Sequence, residues 1–305
     1  MNSDKIKGML YGVAVGDALG APFELRGSPN IEQYTGLIYL PIKVNTRWQG
    51  LRVEPIGSTM DNFQMTLALA RSIAKNKEYN RDKVILSYLD FAKDNKCMGK
   101  NTRKLFKGIN TIKGYRNRYE NMMTGVVSEG NGFIMRCSSI ATLQSWIEVS
   151  DIDCCLTNPV PACVDASRVY LGSIRDAFNN KSPDEILIRA IDMAETKEVV
   201  EILEQVQKGE KRDVKGKTKG WYRHSLYCAY AALMLDKSFE ESIDWVVRLQ
   251  GDSDSNAAIA GALLGARYGF NRMNKEDITP ENIKRVLVDH DEIDRLARAL
   301  SGEVF

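Results

Sequence analysis

Apolar residues recur three and four positions apart along most of the chain, which is the period of a helix with one buried face. The clearest segments are residues 4–16, 61–74, 82–93, 183–194, 224–235, 239–249, 254–268 and 281–299. Alternating strand patterns are scarce, and the best is Leu37–Val44, which contains Pro41. The pattern therefore predicts an all-α, single-domain bundle of roughly ten or more helices, with at most a short strand or hairpin.

Two segments lack the helical period and are predicted to be loops. Residues 40–60 contain several prolines and glycines together with Trp48. Residues 207–220 combine six basic and two acidic residues with three glycines. Such a composition favours a solvated loop, because it cannot bury a core, and the alternative is a docking site for a phosphate-rich partner.

The charge balance narrows the possible classes of function. The 305 residues include 42 Lys plus Arg and 40 Asp plus Glu, so a polyanion binder that relies on net charge alone is excluded. No apolar run reaches the roughly 18–20 residues of a membrane span, and no membrane partner is expected. Glycines interrupt the apolar N-terminal stretch, which ends at Asp17, and Asp4 lies where a signal peptide carries only positive charge. These features argue against a targeting segment and predict a cytoplasmic protein of one domain, residues 1–305.

Cysteine and histidine usage argues against a zinc site. No two of the six cysteines have the C-x2-C spacing of zinc ligands, and we expect reduced thiols. The only histidines, His224 and His290, are far apart in sequence. A mechanism built on several histidines is therefore not expected.

Candidate chemistry lies where helices meet polar, glycine-rich segments. In Gly12–Glu24 a helix is predicted to run into a glycine-rich turn that carries Asp17 and Glu24, and the simpler interpretation is a helix C-cap followed by a turn. Asp61 opens the predicted helix 61–76 and could act as its cap.

A second group of oxygen side chains opens the predicted helix 256–268. Asp252, Asp254 and Ser255 fall within one turn, and hard cations such as Mg²⁺ prefer such ligands. Helix capping is the alternative, although a cap needs only one of these residues. In Gly130–Arg136 a Gly-Asn-Gly turn precedes an apolar segment and exposes backbone N–H groups that suit a phosphate.

Taken together and in this order, these motifs resemble those of the ADP-ribosylglycohydrolase family. The family pattern G-x-x-x-G-D-A-L-G-x-P-x-E is matched by Gly12–Glu24, and G-N-G-x-x-M-R is matched by Gly130–Arg136. The segment Gly251–Gly269 is similar to the family's C-terminal motif, so the resemblance spans residues 5–270. It implies the family's all-α fold, an ADP-ribose ligand or ADP-ribosylated substrate, and hydrolysis of a ribosyl glycosidic bond.

The family's metal motif, G-x-x-T-D-D-T-x-M, is altered here. It aligns with Gly57–Met65 without a gap, but Met60 replaces the threonine and Asn62 replaces the second aspartate. Asp61, Asp252 and Asp254 supply three negative charges, and Glu24 adds a fourth at most. Since two divalent ions carry four positive charges, we predict one bound Mg²⁺ rather than two.

The resemblance also implies roles for individual residues. Catalysis would fall to Glu24, as acid or base, and to Asp61. The metal cradle would comprise Asp61, Asn62, Asp252, Asp254 and Ser255. Gly130, Asn131 and Gly132 would line the diphosphate, with Met135 and Arg136 supporting that loop from behind.

Three alternatives stay open at this stage. The altered metal motif is also compatible with an inactive protein that binds ADP-ribose or another nucleotide, or with a structural protein that keeps only the fold. A basic segment interleaved with aromatic residues, Arg103–Tyr119, could bind nucleic acid together with the loop 207–220, although two separate solvated faces are the simpler interpretation.

Overall fold

The computed structural model describes residues 2–24, 31, 42–46, 50–94, 98–123, 128–273, 287 and 289–302. Helices dominate these residues, so the predicted all-α class is confirmed. The first five are α1 Ser3–Glu24, α2 Asp61–Asn76, α3 Arg81–Asp94, α4 Lys100–Phe106 and α5 Ile112–Met123. After a 3₁₀ helix at Cys137–Thr142 come α6 Trp146–Cys154, α7 Pro161–Phe178, α8 Pro183–Met193, α9 Lys197–Gln207 and α10 Tyr222–Met234. The last are α11 Phe239–Leu249, α12 Ser253–Tyr268, α13 Phe270–Met273 and α14 His290–Ser301.

One antiparallel hairpin accompanies the helices in the described part of the chain. Strand β1, Ile42–Thr46, pairs with β2, Gly50–Glu54, in a register that sets Ile42 opposite Glu54. The predicted strand at residues 37–44 overlaps only the start of β1, and its residues 37–41 lie outside the described residues, as does Trp48. Likewise, only part of the helix predicted at 281–299 is described, as α14.

Helix α1 is longer than the sequence predicts. The prediction of a glycine-rich turn within Gly12–Glu24 is wrong, because the helix continues through Pro22 to Glu24. Its sequence is buried along almost its whole length rather than on one face. Several glycines in one segment usually indicate that a helix ends there. In α1 the glycines instead allow close contact with another helix.

That contact is a ladder of small residues between α1 and α12, which run antiparallel. Each α1 glycine in the ladder faces a backbone carbonyl of α12, so that a methyl group on it would overlap the facing backbone. The facing pairs are Gly8 with Gly265, Gly12 with Gly261, Gly16 with Ala257, and Gly20 with Ser253. Ser253 also donates its hydroxyl to the Gly20 carbonyl at 2.8 Å. The two helices therefore touch backbone to backbone over four turns.

The other helices surround this pair. Helices α7, α10 and α11 pack against α12, while α14 packs against α1 and α2. Tyr11 on α1 donates to Asp294 on α14 at 2.9 Å. The five described cysteines are free thiols, Cys97 lies outside the described residues, and no described helix is both long and apolar enough to span a bilayer.

We expect Gly12→Ala to reduce the free energy of unfolding by about 3 kcal/mol, because the added methyl group must push two helix backbones apart. Urea denaturation followed by circular dichroism measures this change. Gly99→Ala is the control, since no atom lies within 4 Å of a methyl group at that position, and it should change stability by less than about 1 kcal/mol. Equal stabilities for the two variants would contradict the proposed importance of the ladder.

Candidate active site

Four segments meet where α1 ends and α12 begins. The ladder brings Glu24 beside Asp252 and Asp254, while the start of α2 and the loop Gly130–Gly132 close the site from two further sides. Asp254 lies in the first turn of α12 and Asp61 in the first turn of α2. The positive ends of the two helix dipoles favour carboxylates there, which helps to explain why so many acidic groups collect in one place.

Glu24, Asp252 and Asp254 form the acidic centre, which we call the carboxylate trio. One oxygen from each lies within 4.8 Å of the others. Asp254 is 3% exposed, and its Oδ1 atom is buried without a hydrogen-bond partner. Burial, followed by the neighbouring carboxylates, raises the pKa of Asp254 well above its usual range. A buried, unpartnered carboxylate oxygen beside two more carboxylates fits a hard divalent cation such as Mg²⁺.

Asn62 lies between two carboxylates. Its Nδ2 atom donates to Asp17 at 3.1 Å and to Asp254 at 3.0 Å, while its Oδ1 atom accepts from the Ser255 hydroxyl at 2.9 Å. The side chain is fully buried and both of its polar atoms are engaged. The structure therefore pairs Asn62 and Ser255, two of the predicted cradle residues, with each other, and it brings them next to the carboxylate trio.

Asp17 organises the start of α2. Its Oδ2 atom accepts the backbone N–H groups of Met60 at 2.8 Å and of Phe63 at 2.9 Å. The cap of α2 thus comes from α1, not from Asp61, which lies inside the first helical turn. Burial raises the pKa of Asp17 to about 7 despite these donors. Since the cap uses backbone N–H groups, the methionine at position 60 does not disturb it.

Asp61 lies at the edge of the centre. Its Oδ2 atom accepts the Gly99 backbone N–H at 3.1 Å, which ties α2 to the start of α4. Burial raises the pKa of Asp61 to about 8, and the negative charges of Asp17 and Asp252 act in the same direction. Burial of this carboxyl therefore favours its protonated form.

The loop Gly130–Gly132 lies against the trio through Asn131. The Asn131 Nδ2 atom donates to Asp252 at 2.6 Å and to the Ser225 hydroxyl at 3.1 Å. The backbone N–H of Asn131 donates to the Gly220 carbonyl at 2.9 Å, and that of Gly130 to Ser128 at 3.2 Å. These two N–H groups, expected to face a diphosphate, would have to exchange partners in order to bind one.

Arg136 supports the same loop from inside the core. Its guanidinium is fully buried and pairs with Asp153 at 3.0 Å. It also donates to the Gly132 carbonyl at 2.5 Å and to the Thr157 hydroxyl at 3.0 Å. Every one of these contacts is on the protein side of the loop, so Arg136 positions the loop.

The sequence analysis missed Lys219. Its Nζ atom lies 3.1 Å from Glu24 Oε1, although the segment 207–220 was expected to be a solvated loop. Part of that segment is also packed, because Val214 is buried and its carbonyl lies against Gly251. Nothing in the local composition distinguishes Lys219 from the five other basic residues of the segment.

The predicted basic segment around α4 and α5 is tied into the protein. Arg116 pairs with Asp82 at 3.0 Å, and Arg118 donates to the carbonyls of Lys104 and Lys107. The proteins to which this chain is similar give no support for a nucleic-acid partner.

The site so defined is a cluster of three carboxylates in an all-helical protein, with the chemistry to hold a divalent cation. The sequence profile described as ADP-ribosylglycohydrolase matches residues 2–304, and the chain belongs to that family. The predicted resemblance is thereby confirmed, and it extends over almost the whole chain.

Characterised relatives agree with this assignment. ADP-ribosyl-[dinitrogen reductase] glycohydrolase of Rhodospirillum rubrum is 27% identical over 280 residues, covering 88% of this chain and 87% of that protein. ADP-ribosylarginine hydrolase Tri1 of Serratia proteamaculans is 27% identical over 292 residues, covering 89% and 74%. The family and these relatives place the chain among the hydrolases of ADP-ribosyl glycosidic bonds. A solved structure titled ADP-ribosylglycohydrolase-related protein complex shares the fold, with a TM-score of 0.73 at 21% identity over 99% of both chains.

We expect Arg136→Met to reduce the free energy of unfolding by about 3–5 kcal/mol, because it leaves the buried Asp153 carboxylate without its partner. Arg116→Met is the matched control, since its pair with Asp82 is exposed and should contribute less than about 1 kcal/mol. Both values can be measured by urea denaturation at pH 7. A similar loss of unfolding free energy in the two variants would show that the buried Arg136–Asp153 pair contributes no more to stability than the exposed pair.

Proposed function

We propose that this protein hydrolyses the N-glycosidic bond between ADP-ribose and an arginine side chain, releasing ADP-ribose. The carboxylate trio carries this proposal, because it offers a buried, unpartnered carboxylate oxygen at the site that the family motifs mark. Two relatives support the choice of substrate, since one is named as an ADP-ribosylarginine hydrolase and the other as acting on ADP-ribosylated dinitrogen reductase.

The site is proposed to hold one Mg²⁺ through Glu24, Asp252 and Asp254. A divalent cation held there would supply positive charge to the ribose hydroxyls and to a water molecule. We also propose that the loop Gly130–Gly132, here called the diphosphate loop, binds the diphosphate. Asn131 of this loop orients Asp252 through a 2.6 Å hydrogen bond, so the loop and the trio are positioned together. We place Asn62 outside the ligands of the cation, because its Nδ2 atom donates to Asp17 and Asp254 and its Oδ1 atom accepts the Ser255 hydroxyl.

Asp61 is proposed to act as the general acid and Glu24 as the general base. Hydrolysis forms a bond between water oxygen and the anomeric carbon and breaks the bond from that carbon to the guanidine nitrogen. Asp61, a buried carboxyl at the edge of the centre, is proposed as the acid that gives a proton to the leaving nitrogen. Glu24 lies at the mouth of the trio and is the base for the attacking water.

The direct test is release of ADP-ribose from an ADP-ribosylarginine peptide, followed by chromatography with Mg²⁺ and with EDTA. We expect turnover with Mg²⁺ and none with EDTA. Binding of ADP-ribose without turnover of any substrate would instead favour the non-hydrolysing binder. No binding in either buffer would favour a protein that keeps only the fold.

In that assay, Glu24→Gln should lower kcat by at least about 100-fold, because the amide cannot accept a proton. Its Kd for ADP-ribose should stay within about threefold of the wild-type value, since the shape of the site is kept and the amide oxygen of glutamine can still bind the cation. Glu210→Gln, at an exposed glutamate on the 207–220 segment, is the control and should retain full activity. An unchanged kcat in Glu24→Gln would remove the assigned role of Glu24.

We expect the wild-type chain to bind about one Mn²⁺ and the double variant Met60→Thr, Asn62→Asp to bind about two. The double variant removes the amide that links Asp17 to Asp254 and adds a negative charge and a hydroxyl in its place. Elemental analysis after equilibrium dialysis gives the stoichiometry. Met60→Thr alone is the control and should still bind one ion. Two ions on the wild type, or one on the double variant, would contradict this account of Asn62.

A further inference from the structure

Lys219 places an ammonium group at the carboxylate trio. Its Nζ atom lies 3.1 Å from Glu24 Oε1, and it also reaches the backbone carbonyls of Glu24 at 3.4 Å and Gly251 at 3.5 Å. Gly251 directly precedes Asp252, so these contacts link the end of α1 to the start of α12. The ammonium therefore lies where a cation would contact both carboxylate-bearing segments.

The backbone around Lys219 is fixed by hydrogen bonds. The Lys219 N–H donates to the Gly216 carbonyl at 3.3 Å, and the Trp221 N–H donates to the Thr218 carbonyl at 2.8 Å. The Gly220 carbonyl accepts from Asn131, the same residue whose side chain donates to Asp252. This turn is built onto the diphosphate loop, which distinguishes Lys219 from a lysine that meets an acid by chance on an open surface.

The charges around Lys219 explain the need for it. The trio brings up to three negative charges together in a largely buried space. Burial disfavours the charged form of the lysine, but Glu24, Asp252 and Asp254 together outweigh it and raise the pKa of Lys219 above its ordinary value. Repulsion among these carboxylates disfavours the folded state, and one fixed positive charge offsets part of that repulsion.

We propose that Lys219 is a tethered counter-cation of the trio, which holds Glu24 in place when no divalent cation is bound and competes with a divalent cation for Glu24. Lys219 is in this sense a positioning residue that acts through Glu24. This inference rests on the cation site of the proposed function, but it does not depend on turnover.

The test is a titration of the full chain with Mn²⁺ alone, in which electron paramagnetic resonance reports the free ion. Lys219→Met removes one positive charge from the site and frees Glu24, so we expect it to bind Mn²⁺ at least about tenfold more tightly than the wild type. Lys219→Gln provides a second, polar replacement, and circular dichroism shows which variants are folded. A merely structural lysine would leave the affinity unchanged or lower it.

Two further variants serve as controls. Lys219→Arg keeps the charge and should bind Mn²⁺ within about threefold of the wild type. Lys217→Met removes an exposed lysine of the same segment and should leave the affinity unchanged. Wild-type or weaker affinity in both Lys219→Met and Lys219→Gln would overturn the proposal.

The Mn²⁺ titration separates this inference from the proposed function. Tighter binding in Lys219→Met, without ADP-ribose release by the wild type, would uphold the counter-cation and reject the hydrolase. Equal Mn²⁺ binding in all variants, with ADP-ribose release by the wild type, would reject the counter-cation and uphold the hydrolase. No Mn²⁺ binding by any variant would overturn both the counter-cation and the cation site.

Discussion

The backbone contact between α1 and α12 is the constraint on which the site depends. Glycines at four-residue intervals let two long helices approach until carbonyl oxygens of one lie against Cα atoms of the other. The ends of these helices carry Glu24 on one side and Asp252 and Asp254 on the other. A wider spacing would move these carboxylates apart, so the packing of small residues sets the geometry of the charged centre.

A cluster of buried carboxylates requires compensation, and this protein supplies part of it from its own side chains. Asn62 donates to Asp17 and Asp254, Asn131 donates to Asp252, and Lys219 pairs with Glu24. Every carboxylate of the trio thus has a donor within the protein, yet Asp254 keeps one buried oxygen without a partner. Protein donors therefore compensate the trio everywhere except at that one oxygen.

Two sets of contacts outside the trio hold different parts of the site in place. Arg136 and Asp153 hold the diphosphate loop from the core, where their charges are fully buried. Asp17 holds the start of α2 through backbone N–H groups, and this role is indifferent to the side chain at position 60. The side chain at position 60 can therefore differ without removing the scaffold that positions the start of α2.

The sequence alone was sufficient for the helical class, for α2 at its observed bounds, and for the motifs that meet at the site, because these depend on short-range period and on local residue types. It was not sufficient for the helical course of α1 through Gly16 and Gly20, since a glycine there is favourable only when another backbone lies against it. Nor did it distinguish Lys219 from neighbouring lysines. Its partner Glu24 is distant in sequence, and only the tertiary structure brings the two charges within 3.1 Å.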